Sequence, residues 1–157
     1  MVKVLPHVMR NINEFNIPPG DMHGYEILYF GVNLILMFDY RLSFNIEVIK
    51  NSDGNNSDKI EVLIINRKDV PAWKKGNNNG NNNNKDIKLH YNNSGEKIND
   101  IFKPSASNAY AFILSNRTPH VNNSSKTKTV EVTLVHTWQQ EIKESQLKTY
   151  NINDPKI

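Results

Sequence analysis

The most regular pattern of apolar and polar positions lies in the last third of the chain. Residues 126–138 alternate between the two classes, and an apolar run at residues 108–116 precedes them, separated by a polar loop. A period of two over this length is typical of a β-strand with one buried face. Both segments are therefore predicted to be strands. The residues predicted to share the inner face of the last strand are Val130, Val132, Leu134 and His136.

Similar patterns predict strands in the first two thirds of the chain. Residues 43–49 alternate in the manner of a half-buried strand, and the Asp53-Gly54 pair that follows is a hairpin signal. The apolar run at residues 32–40 is interpreted as a strand covered on both faces. The other predicted strands are residues 14–17, 25–30, 59–66, 86–91 and 96–102.

About eight strands separated by turn signals indicate an all-β protein. The predicted fold is a compact, antiparallel, jelly-roll-like β-sandwich in one domain, residues 1–138. Residues 139–157 are interpreted as a C-terminal tail whose first part, residues 139–147, has a composition compatible with one short helix. Residues 76–85 are interpreted as a loop insertion, because their asparagine tract has no apolar group to bury.

Composition excludes several classes of protein. The 157 residues include no cysteine, so neither a disulfide framework nor thiolate chemistry is available. The formal net charge is +3, and the basic residues are dispersed rather than gathered in the dense stripe of a nucleic-acid-binding protein. No apolar run is long enough for a transmembrane helix, and residues 1–19 lack the pattern of a secretory signal. We expect a cytoplasmic protein as the sequence is written, and an extracytoplasmic one if a leader has been removed.

The sequence carries no recognisable catalytic or cofactor motif. A nucleophile elbow, a Walker loop and a dinucleotide-binding glycine turn are all missing, so we expect neither a cofactor nor an enzyme. Asp21 and His23 have a spacing suited to metal ligands, but one pair does not make a site, and solvated loop side chains are expected. Glu47 and Glu61 flank the predicted hairpin, and a carboxylate pair would suggest a small glycoside hydrolase. Their strand parity instead directs them to solvent.

Two groups of residues are candidates for contact with a partner. An aromatic ring beside two lysines lies in a loop predicted after the strand at residues 59–66, and it suits either partner recognition or, more commonly, capping of one end of the sandwich. A second group flanks the polar loop before the last strand, where an asparagine can satisfy backbone groups and two lysines suit an acidic protein or an anionic lipid surface. These candidates are Trp73, Lys74, Lys75, Asn116, Lys126 and Lys128.

Several short segments, taken in order, resemble one known family. Residues 17–20 read Ile-Pro-Pro-Gly, residues 60–66 read Ile-Glu-Val-Leu-Ile-Ile-Asn, residues 109–116 read Ala-Tyr-Ala-Phe-Ile-Leu-Ser-Asn, and Lys-Thr-Val-Glu-Val follows at residues 128–132. Over residues 15–138 this order resembles a GOLD (Golgi dynamics) domain. The penultimate strand of that family ends in Asp-Asn, whereas this chain has Ser-Asn.

The resemblance implies a jelly-roll-like sandwich that contacts proteins or a lipid surface, as in vesicle trafficking, without catalysis. The residues themselves leave a second class open, a carbohydrate-binding or virion-type jelly roll. A sugar-binding protein of this class would carry two or three aromatic side chains in line on one exposed sheet face.

Overall fold

The computed structural model describes residues 2–19, 24–51, 59–79, 87–117 and 126–143. In these residues, eight strands account for most of the secondary structure, and a 3₁₀ turn and one α-helix follow the fourth strand. The strands are β1 (Val2–Ile17), β2 (Tyr25–Val32), β3 (Phe38–Asn51), β4 (Ile60–Asn66), β5 (Tyr91–Gly95), β6 (Lys97–Phe102), β7 (Asn108–Ser115) and β8 (Lys128–Lys143); the 3₁₀ turn is Arg67–Asp69 and the helix α1 is Val70–Asn79.

The eight strands form two antiparallel sheets of four. Sheet A has the order β1-β8-β3-β6, and sheet B has the order β2-β7-β4-β5. This is the strand order of a jelly roll, in which two Greek keys enclose one core. The predicted all-β, jelly-roll-like sandwich is therefore confirmed.

The main core lies between the two sheets, because each sheet turns its apolar positions inward. The alternation predicted for the last strand is confirmed, with Val130, Val132 and Leu134 buried. Phe44 of sheet A meets Phe112 of sheet B edge to face, with ring centroids 5.2 Å apart. Such pairs add to the stability gained from burial of apolar area.

A second apolar cluster covers the outer face of sheet B, where α1 packs. This cluster explains why β4 and residues 110–115 of β7 are buried on both faces. The predicted loop around Trp73 is therefore wrong, because Trp73 lies on α1. The helix also extends to Asn79, so the predicted loop insertion at residues 76–85 is partly helical, and the rest of that segment lies outside the described residues.

The strand predicted at residues 32–40 is also wrong, because a turn interrupts it. The Asn33 side-chain oxygen accepts a hydrogen bond from the Ile35 N–H at 3.0 Å. The Asn33 carbonyl accepts another from the Met37 N–H at 2.7 Å. A short polar side chain of this kind offers the backbone an alternative to the sheet ladder. The apolar run therefore turns, leaving Ile35 85% exposed between β2 and β3.

The two ends of the described chain pair with each other, which overturns the predicted tail. Strand β8 continues to Lys143, and Val2 of β1 lies opposite it in an antiparallel ladder that runs to Ile17 and Lys128. The predicted domain end at residue 138 and the helix over residues 139–143 are both wrong, and residues 144–157 lie outside the described residues. Mutual pairing, rather than a local pattern, makes these segments strands.

The remaining differences between the sequence predictions and the structure concern the middle of the chain. Residues 53 and 54 lie outside the described residues, but β3 and β4 on either side belong to different sheets and cannot form a hairpin. Glu47 is exposed in sheet A, whereas Glu61 is buried in sheet B on the face of β4 that also buries Leu63. The expected solvent exposure is thus wrong for Glu61. The strand predicted at residues 86–91 is also wrong, because residues 87–90 are not in a strand and β5 begins at Tyr91, while residue 86 lies outside the described residues.

Candidate functional site

Three of the six candidate contact residues are buried inside the domain. Trp73 is buried on α1 and meets Tyr25 edge to face, with ring centroids 5.4 Å apart. Lys128 is fully buried, and its Nζ donates to the Lys59 carbonyl at 2.6 Å. Asn116 is fully buried as well. The side chains of these three residues support the fold and do not present a surface to a partner.

The accessible members are the other three lysines. Lys75 is exposed, and Lys74 and Lys126 are partly exposed. The ammonium group of Lys74 lies over the Tyr25 ring, 5.4 Å from its centroid. Contact between these three lysines and a partner stays a prediction.

Arg117, which lies beside Tyr25 and Trp73, is a residue that the sequence did not indicate. Its guanidinium lies between two rings, 4.4 Å from the centroid of Tyr25 and 4.6 Å from that of Trp73. Burial lowers the pKa of Arg117, and Tyr25 acts in the opposite direction. A cation between two aromatic faces is favourably placed, so Arg117 fixes α1 and Trp73 against the start of β2.

Asn116 satisfies loop backbone groups, as its position before the polar loop predicted. Its side-chain amide donates to the Pro18 carbonyl at 3.0 Å and to the Lys126 carbonyl at 2.7 Å, and its backbone N–H donates to the Gly24 carbonyl at 2.7 Å. One residue thus joins the segments next to β1, β2 and β8.

We expect Asn116→Ala to lower the free energy of unfolding by about 2 kcal/mol, because it leaves two carbonyls without their donor. Urea denaturation followed by circular dichroism measures this difference. Asn99→Ala is the matched control, because Asn99 is exposed on β6 and its loss should cost less than about 0.5 kcal/mol. Equal midpoints for the two variants would contradict the structural role of Asn116.

A cleft opens between β1 and β2, which are the edge strands of the two sheets. It has a volume of about 310 Å³ and is lined in part by Met9, Asn11 and Asn13 of β1. Gly31 of β2 lines it as well, and a Cβ atom at that position would meet no atom within 4 Å. On the opposite side of the sandwich, β5 of sheet B leads directly into β6 of sheet A through Glu96, which closes that side.

The floor of the cleft is aromatic and uncharged. The hydroxyl of Tyr40 is hydrogen-bonded to Nδ1 of His136, and Phe30 and Trp138 lie beside the pair. Burial lowers the pKa of His136 to about 4, and burial with the nearby Tyr110 raises the pKa of Tyr40. At neutral pH both groups are therefore uncharged. His7 of β1 stacks on Trp138, with ring centroids 5.2 Å apart.

Strand β1 has an unusual outer face. One edge of this 16-residue strand pairs with β8 along its whole length, and no strand of the described ranges pairs with the other edge. The side chains that point away from the core include four exposed aliphatic residues. They are Val2 (53% exposed), Val4 (50%), Val8 (54%) and Ile12 (63%).

Three carboxylates cross the same outer face in one row. Glu14 of β1 lies opposite Glu131 of β8, which lies opposite Glu47 of β3, and Lys97 of β6 ends the row at the other edge of sheet A. All four side chains are exposed. Like charges directly opposite one another are destabilising. The end of this row on β1, at Glu14, has no cation opposite it in the described residues and therefore favours a positive charge beside it.

The comparisons with known proteins leave the family open. No family model matches the chain, and no curated protein matches its sequence. Within the described ranges, no cluster of three or more His, Asp or Glu side chains could hold a metal ion. The part of the chain that the structure describes also includes no helix long and apolar enough to span a membrane.

Proposed function

We propose that the chain is a non-enzymatic interaction module that binds an extended protein segment along the open edge of β1. The observation that carries this proposal is the long edge strand with four exposed aliphatic side chains. An edge strand offers unpaired N–H and C=O groups, and proteins usually protect such edges by making them short or covering them. Addition of a partner strand is the mode of recognition that uses these groups.

The cleft supports a role in binding rather than in catalysis. Among the described residues, its lining holds no carboxylate and one imidazole, which is hydrogen-bonded to Tyr40 and uncharged at neutral pH. A general acid or base works best with a pKa near the operating pH, and neither Tyr40 nor His136 has one. The resemblance of the sequence to GOLD domains supports the same class, with contacts of the vesicle-trafficking type to proteins or a lipid surface.

The test is capture of partners by the immobilised chain from an extract of the cells that make it. The edge variant Val8→Lys/Ile12→Lys places two charges on the outer face of β1, and Ile35→Lys is a control at an exposed turn. We expect the same proteins on the wild type and the control, and their loss from the edge variant. Identical sets on all three chains, with all three folded by circular dichroism, would refute the proposal.

A second candidate is a carbohydrate or other small ligand in the cleft. The favourable observation is a concave site with aromatic walls and two amide side chains, Asn11 and Asn13. Against it, Tyr29 is the one exposed aromatic side chain among the described residues, so the aromatic row expected of a sugar-binding face is not present there. A glycan array with wild type and Asn11→Trp, which places a bulky side chain in the cleft, tests this candidate. Glycan binding lost only in the variant would support it.

A further inference from the structure

We infer that the extended segment bound at the edge of β1 is β1 of a second copy of this chain, antiparallel about a two-fold axis at Ile12. This inference rests on the proposed function and names its partner. The two copies of sheet A would then join into one eight-stranded sheet. A two-fold interface of this kind uses the same patch on both copies, so the patch must be complementary to itself.

The charges of β1 meet that requirement in one register. With Ile12 opposite Ile12 of the second copy, Arg10 lies opposite Glu14 of the second copy, and Glu14 lies opposite its Arg10. All three side chains point away from the core, because they alternate along β1 with the positions of Phe15 and Ile17, which face the core between the sheets. The axis thus produces two opposite-charge pairs around one apolar pair, and each such cross-strand pair is stabilising.

Neighbouring registers lack this complementarity. An axis at Arg10 would place two arginines opposite each other, and an axis at Glu14 would do the same with two carboxylates. An axis at Asn11 or Asn13 would place one of the two charges opposite Ile12 and would form no ion pair. A register that mixes odd and even positions is excluded, because the side chains of opposite residues must point to the same face of a sheet.

The second copy also completes the acidic row of sheet A. In each copy, Glu14, Glu131 and Glu47 follow one another across the outer face, with Lys97 at one end. The register at Ile12 brings Arg10 of the second copy to the other end of this row. The row then has a positive charge at both ends, and the repulsion that a lone copy carries is reduced.

Apolar contact also stabilises the proposed dimer in the register at Ile12. Ile12 is 63% exposed and Val8 is 54% exposed in the single chain. The pairing covers Ile12 with its own counterpart and brings Val8 opposite Asn16 of the second copy. On the inner face, Asn11 meets Asn13 of the second copy, where two amide side chains can donate to and accept from each other.

The test measures molecular mass by sedimentation over a range of concentrations, for the wild type and charge-reversed chains. We expect a wild-type dimer, and we expect Arg10→Glu alone or Glu14→Arg alone to raise its dissociation constant by about tenfold or more, because like charges then oppose each other at two places. The double variant Arg10→Glu/Glu14→Arg restores both pairs and should dimerise as the wild type does. An equimolar mixture of the two single variants should form a heterodimer for the same reason.

Lys3→Glu is the matched control, because Lys3 lies on β1 outside the segment from His7 to Ile17 that overlaps in this register. It should leave the dissociation constant unchanged. A wild-type chain that remains monomeric at hundreds of micromolar would overturn the inference, and so would single variants that dimerise as tightly as the wild type. The proposed function would survive either result if partner capture still depended on Val8 and Ile12, so the two failures are distinguishable.

Discussion

Phe112→Ala should lower the free energy of unfolding by about 3–5 kcal/mol, the range for loss of a buried phenylalanine ring. Phe112 is 0% exposed in the middle of β7, with Leu28 of β2 and Ile64 of β4 as its neighbours across the sheet. Its ring also meets Phe44 of the opposite sheet. Removing it therefore opens a cavity between the two sheets, at a position where strands on both sides limit collapse.

Urea denaturation of the wild type and the variant gives this difference as the shift in midpoint multiplied by the slope m. Ile35→Ala provides the control, because Ile35 is 85% exposed at the turn before β3 and its truncation should cost less than about 0.5 kcal/mol. A loss below about 1 kcal/mol for Phe112→Ala would mean that β7 does not have the inner and outer faces described above.

Acidification from pH 7 to pH 4 should destabilise the domain by about 3 kcal/mol through His136 alone. Burial lowers the pKa of His136 from 6.5 to about 4, so the unfolded chain becomes protonated within this range while the folded chain is only half protonated at its lower limit. Stability is therefore complete above pH 6.5, falls as the pH decreases toward 4, and levels off below the folded pKa. The size of the loss follows from about 1.4 kcal/mol for each pKa unit.

Two measurements separate His136 from other acid-sensitive groups. Unfolding midpoints at pH 7 and pH 4 should differ less in His136→Gln than in the wild type, because glutamine does not titrate. Titration of the imidazole by nuclear magnetic resonance should give a pKa well below 6.5 for His136. An equal acid effect in both chains, together with an ordinary imidazole pKa, would show that water reaches His136 freely.

The clearest alternation in the sequence belongs to strands that have one face on the core. In β8, Val130, Val132 and Leu134 all point to the opposite sheet, and this geometry produces the alternation that the sequence shows. The same holds for β3 around Phe44 and Ile46. In such strands the local pattern and the tertiary environment agree, so a local pattern is sufficient for prediction.

Strand β1 was predicted over only its last residues, because its pattern is inverted along much of its length. Asn11 and Asn13 point inward, but toward the open cleft, while Ile12 and Val8 point to solvent. The rule that apolar residues mark the inner face fails where no second layer covers the strand. The open edge of β1 could not be predicted as a contact surface for this reason. The strand also depends on its pairing with residues 128–143, which are far away in the sequence.

The sequence contains a weaker signal that indicates the helix α1. Val70 and Trp73 are three positions apart on one face, and Pro71 stands in the first turn, where a proline fits a helix well. The asparagine tract that follows has low helix propensity and obscured this signal. Burial of Trp73 and Val70 against sheet B outweighs the propensity, as tertiary packing commonly does.

The pairing of β1 with β8 has a consequence for the order in which the domain forms. A protein is synthesised from its N-terminus, so β1 leaves the ribosome before its sheet neighbour β8 exists. Val2 can pair only after Lys143 has been synthesised. Until then both edges of β1 are open, with its aliphatic side chains in water. Non-local pairings of this kind slow folding and prolong the exposure of partly folded chains. On a polysome, where nascent copies lie close together, β1 can meet another β1 before it meets β8, so assembly would begin during translation.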